Sequence, residues 1–171
     1  MSLTGQVNEG NREDKERCFS RLVSSIEELY EGGKMKVYGE PTRSIRSIDD
    51  GMAVEILDQT SLPFRFEKVV LTDWRDCVEA IREMRVRGAT LTGIAGAWAM
   101  VLATLENPSN EAIKTAAEVI AAARPTSASL AAAVHRMYST IVPREATKRF
   151  AAAVKLTLLV VRTNLHSQET S

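Results

Sequence analysis

Disulfides, a metal cage and a strong electrostatic field all lack their raw material in this 171-residue sequence. Its two cysteines, Cys18 and Cys77, are far apart and form no CxxC pair, which excludes a disulfide framework and a cysteine zinc site. Reduced thiols are expected. Of the two histidines, His135 stands in a helical pattern without an acidic or cysteine neighbour, and His166 falls in the C-terminal tail. Aromatic residues are only 5% of the chain, and Trp74 and Trp98 read as packing anchors. The 22 basic and 22 acidic side chains cancel, so no global field recruits nucleic acid or an acidic membrane. Long apolar runs are also missing. The stretch from Phe150 to Val161 is interrupted by Lys155 and Thr157, and a bilayer span needs about 20 residues. The opening segment MSLTGQVNEGNREDKERC has no apolar core and is no signal peptide. A cytoplasmic protein without a membrane partner is expected. No GxGxxG, P-loop, nucleophile elbow or metal-spaced His/Asp set occurs, so neither cofactor nor metal is expected.

What remains is an ordinary globular composition, 44% hydrophobic and 26% charged. The length fits one domain with appendages: an extension over 1–36, a domain over 37–142, and a linking helix and tail over 143–171. In the extension, Phe19, Leu22, Val23, Ile26, Leu29 and Tyr30 recur at three- and four-residue steps, which predicts an amphipathic helix over 11–31. Charge is unevenly distributed beyond it. Residues 37–110 carry 8 basic and 11 acidic side chains, and 111–171 carry 8 basic and 4 acidic. That bias suits an anionic ligand or, more commonly, a solvated helix face.

From residue 43 the apolar period shortens to two. Residues 43–48 and 52–57 alternate around Asp49-Asp50-Gly51, a hairpin signal, and a third strand is expected over 66–71. Helices fill the rest. One runs from Thr72-Asp73 to about Val86, with Cys77, Val78, Ile81 and Met84 inward and Gly88 ending it. A second, apolar nearly all round, runs from Thr90 or Thr92 through Leu105, its Gly93 and Gly96 permitting close approach by a neighbour. Three more follow, over about 111–123, 128–140 and 144–162, broken by Asn107-Pro108-Ser109-Asn110, Arg124-Pro125-Thr126 and Pro143. The fold class is α+β: a small antiparallel sheet followed by a helical bundle.

Two corners carry the visible chemistry. Arg87-Gly88-Ala89 joins the end of one helix to the start of a buried one, where backbone N–H groups lack partners and attract anions. Arg87 adds a planar, permanently charged donor fork suited to phosphate. At Arg124-Pro125-Thr126-Ser127, the proline discourages helix at Arg124 and turns its side chain out from a corner. Taken alone, either corner also reads as a plain helix break with a solvated arginine. Cys77 reads as an inert buried thiol and Asp49-Asp50 as turn residues.

Three segments share one family pattern: Ile56-Leu57-Asp58-Gln59-Thr60-Ser61-Leu62-Pro63, the run Val78 to Ala89, and Arg124-Pro125-Thr126-Ser127. In this order the chain resembles the N-terminal domain of methylthioribose-1-phosphate isomerases. Those are relatives of ribose-1,5-bisphosphate isomerases and of the regulatory subunits of the eukaryotic translation-initiation guanine-nucleotide exchange factor. The resemblance covers residues 43–140. It implies aldose–ketose isomerisation of a sugar phosphate in methionine salvage, with Arg87, Gly88, Ala89 and Arg124 contacting the substrate. It also implies a second, Rossmann-like domain, in the same or a partner chain, holding the catalytic cysteine and aspartate, and a homo-oligomer such as a dimer. No catalytic residue is assigned to these 171 residues, and catalysis by them alone is not expected. Thr90, Leu91 and Thr92 replace the family's proline, small residue and isoleucine, and Ser129 stands where asparagine is common. A non-catalytic regulatory or subunit-interaction module is the competing expectation.

Overall fold

The computed structural model describes residues 35–37 and 40–166. The helix expected over 11–31 lies outside the described residues. Two short strands open the described fold, β1 (Met35–Val37) and β2 (Glu40–Thr42), paired antiparallel. The alternating pattern at 43–57 then folds as expected. β3 (Ile45–Ile48) and β4 (Ala53–Leu57) pair with Ile45 opposite Ile56 and Ile48 opposite Ala53. The turn between them is a 3-10 turn at Asp49–Gly51, with positive φ at Asp49 (49°) and Gly51 (82°). β5 (Lys68–Leu71) joins the other edge of β4 and gives the order β3-β4-β5. Val54, Ile56 and Leu71 turn their side chains into the core. On the same strand Glu55 takes both Arg46 (2.8 Å) and Lys68 (3.3 Å) from its neighbours, an ion-pair ladder across the sheet.

Five helices are described. α1 (Trp74–Arg82) begins with a capping box, Asp73 accepting from the Arg75 amide at 2.7 Å and Asp76 accepting from the Asp73 amide at 3.2 Å. It stops four residues short of Val86, where the apolar pattern had placed its end, and Gly88 is not its terminator. Met84 instead takes a left-handed turn (φ 60°), and the amides of Arg85 and Val86 fold back to the Ala80 carbonyl at 3.0 and 3.4 Å. That turn carries the Met84 side chain into solvent, 43% exposed, rather than inward as the spacing suggests, while Val86 is fully buried.

α2 (Ala89–Glu106) is the axis of the bundle, packed on α1 and on α3 (Asn110–Ala122), α4 (Ala128–Ile141) and α5 (Ala146–His166). It is long and apolar enough to cross a membrane, yet 72% of it is buried inside the protein, as an all-round apolar core helix should be. Gly93 and Gly96 admit α4. A Cβ at Gly93 would sit 3.2 Å from the Ser129 carbonyl oxygen, and one at Gly96 would sit 2.3 Å from Cδ1 of Leu130. Ser109 and Ser127 cap α3 and α4, accepting from the amides of Ala112 and Leu130.

α5 runs further than expected, to His166. Its apolar residues serve this bundle: Phe150, Ala153, Val154, Leu158, Val160 and Val161 are buried, leaving Leu159 half exposed. Arg149 on its first turns is 7% exposed and faces no carboxylate among the described residues. Its guanidinium donates to the carbonyls of Arg144 (2.9 Å), Val142 (2.8 Å) and Pro108, tying the exits of α2 and α4 together.

Candidate functional site

Parallel packing of α2 and α4 fixes where the two corners lie. Moving along α2 from Gly93 to Gly96, the neighbour on α4 changes from Ser129 to Leu130 and Val134. The two helices therefore run in the same sense and begin at the same end of the bundle. Gly88 immediately precedes α2 and Arg124 stands three residues before the Ser127 cap of α4, so both corners belong to that end.

The α2 start is open. Gly88 is its N-cap at φ 92° and ψ 144°, a conformation that side-chain-bearing residues rarely adopt. No side chain caps the helix there and no acidic residue occupies its first turn. The amides of Ala89 and its successors thus lack the side-chain oxygens that α1, α3 and α4 have. Gly88 and Ala89 are exposed, and a Cβ built on Gly88 meets nothing within 4 Å. Leu91, partly buried, packs back against the core.

Arg87 is held from below by the segment that follows β4. Asp58 to Glu67 is a closed loop, its ends joined by the Asp58 amide and the Glu67 carbonyl at 2.8 Å. Gln59 in this loop donates its amide to the Arg85 carbonyl (2.9 Å) and accepts the Arg87 amide on Oε1 (2.9 Å). Its own carbonyl accepts from the Arg87 guanidinium. Asp58, 8% exposed, accepts from the Thr60 amide (2.8 Å) and hydroxyl (2.6 Å) and lies 3.8 Å from Arg85 Nε. Burial pushes the Asp58 carboxyl up, but the Thr60 bonds and the charges of Arg85 and Arg87 outweigh it and hold it below the usual carboxylate value. A 28-residue separation hides this staple from any local pattern.

Arg124 is half-buried, and its carbonyl accepts the Ser127 amide at 2.9 Å, closing the corner. Thr92, beneath the α2 start, is wholly buried with a hydroxyl that finds no hydrogen-bond partner. Cys77 is buried, and burial with the nearby charges of Asp76 and Asp73 pushes its thiol up to about 12. At that value it is no nucleophile. No cluster of metal-binding side chains exists among the described residues. A cleft of about 350 Å³ lies elsewhere, between Trp74, Arg75, Glu106 and Ser109, beside the exit of α2 rather than its start.

No protein-family model matches the chain. Methylthioribose-1-phosphate isomerase of Paramagnetospirillum magneticum is 41% identical over 119 residues, which are 70% of this chain and 33% of that protein. The same enzyme of Methylocella silvestris is 40% identical over 119 residues, 32% of its length. Among solved structures, the translation initiation factor eIF-2B subunit delta from A. fulgidus superimposes with a TM-score of 0.60 at 28% identity, covering 75% of this chain and 37% of that one. The chain thus spans about a third of the length of the curated relatives it matches. Over that third the chain is similar in sequence to the methylthioribose-1-phosphate isomerases and in fold to the initiation-factor subunit.

Proposed function

We propose that this chain supplies the phosphate-holding part of a methylthioribose-1-phosphate isomerase-like protein, a soluble cytoplasmic protein whose ligand is a sugar phosphate. The observation that carries the reading is the uncapped, exposed α2 start at Gly88, with Arg87 beside it and the Arg124 corner at the same end of the bundle. Unpaired amides and guanidinium donors suit phosphate oxygens in geometry and charge. Aldose–ketose isomerisation moves hydrogen between adjacent carbons and needs a positioned acid/base pair. Near the α2 start, Asp58 is bound by Thr60 beside Arg85, while Cys77 is buried. The described residues therefore grip the substrate, and a Rossmann-like domain, in the same polypeptide or a partner, performs the transfer.

Calorimetric titration with a pentose 1-phosphate tests the grip. Binding in the millimolar range or tighter is expected, weakened about tenfold or more in Arg87→Ala, roughly 1.4 kcal/mol. No heat at any accessible concentration overturns the reading. A second reading, a regulatory or subunit-contact module, draws on the likeness to the initiation-factor subunit and on Thr90-Leu91-Thr92 at the α2 start. Mixing the chain with the remaining two thirds of a relative separates the two. Isomerase turnover supports the first reading, and stable association without turnover supports the second.

A further inference from the structure

We propose that Gln59 is a positioning residue for the ligand, acting through Arg87. The inference rests on the phosphate-holding reading and gives the Leu57-Asp58-Gln59 segment a task that the substrate-contact assignments leave empty. Gln59 touches the arginine turn three times, with three different groups. Its amide donates to the Arg85 carbonyl (2.9 Å), its side-chain Oε1 accepts the Arg87 amide (2.9 Å), and its carbonyl accepts from the Arg87 guanidinium.

The consequence is geometric. Holding both the amide and the guanidinium of Arg87 removes freedom at each end of the side chain, and a long exposed arginine otherwise loses that freedom only on binding. One guanidinium nitrogen is taken by Gln59, which leaves the rest of the donor fork for an anion beside the open α2 amides. The loop is itself rigid enough to act as a mount. Its ends are joined by Asp58 and Glu67, and Asp58 is fixed by Thr60 and faces Arg85. Gln59 would not touch the ligand.

The test is a double-mutant cycle read by inorganic phosphate titration, following the amide NMR signals of Gly88, Ala89 and Thr90 in the folded protein. Gln59→Met keeps the side-chain length but removes the Oε1 acceptor. It should raise the apparent Kd about fivefold to tenfold, a change of roughly 1–1.4 kcal/mol, and expose the Arg87 amide to hydrogen exchange. In the Arg87→Ala background the same substitution should change the Kd less than twofold, because its effect passes through Arg87. Gln59→Glu, which keeps the acceptor, should retain Arg87 amide protection. Wild-type protein whose Gly88–Thr90 signals ignore phosphate overturns the phosphate-holding reading itself. Wild-type binding that Gln59→Met leaves unchanged, or equal losses with and without Arg87, overturns only the positioning role.

Discussion

The two ends of this bundle use the same residue type in opposite ways. Arg149, near the exits of α2 and α4, is buried and spends its guanidinium on three carbonyls. Arg87, at the start of α2, is exposed and spends one guanidinium nitrogen on the Gln59 carbonyl. A guanidinium has five N–H donors and cannot shed its charge. At the first end those donors satisfy helix-terminal carbonyls that would otherwise be stranded, and the arginine is structural. At the second end, donors and helix-start amides are both left over. Arginine content alone therefore does not separate the two ends; the number of donors already used inside the fold does.

Arg149→Met breaks the comparison most severely. It removes a satisfied buried cation and leaves the carbonyls of Pro108, Val142 and Arg144 without their donor. A stability loss of about 3 kcal/mol in denaturant unfolding is expected. Arg87→Ala should by contrast leave the midpoint within about 0.5 kcal/mol, as surface substitutions usually do, while costing ligand affinity. Equal losses of stability at both positions would remove the distinction.

Thr92→Val sharpens it. The hydroxyl is buried and unpartnered, so the valine variant should gain about 1 kcal/mol. A loss of stability would mean that the hydroxyl is satisfied in solution.

The smallest effect lies in the acid limb of the stability curve. Asp58 is held below its ordinary value, so the unfolded chain binds the proton more readily. Ionised Asp58 thus stabilises the fold above the unfolded carboxylate value of about 3.9, and the contribution fades as pH falls through the lower, folded value. Asp58→Asn should be less stable than wild type at neutral pH, and the gap should close in acid. A gap independent of pH would show that the charge of Asp58 contributes nothing to the mount beneath Arg87.

Much of this was legible in the residues. The change of period at 43–57, the helix start at Thr72-Asp73, and the breaks at Pro108, Pro125 and Pro143 all act locally, and they yielded the β3-β4-β5 sheet and the helical order. The stop of α1 was not legible, because Val86 continues the apolar spacing while a left-handed Met84 ends the helix four residues earlier. The β1–β2 pair escaped notice because three-residue strands, one containing Pro41, carry no periodic signal. At the site, Arg87 and Arg124 stood out as corners. Their shared end of the bundle depends on α4 seating against Gly93 and Gly96, which the small residues hint at without naming the partner. The Gln59 staple depends on tertiary approach and had no local trace.

The central claim is that the open start of α2 is a phosphate cradle. A crystal structure of the chain soaked with a pentose 1-phosphate tests it most directly. The expected result is phosphate density at the amides of Gly88 and Ala89, with the Arg87 and Arg124 side chains reaching it. Ligand seated in the Trp74–Glu106 cleft instead, or the two arginines directed away from each other around an empty α2 start, would contradict the account.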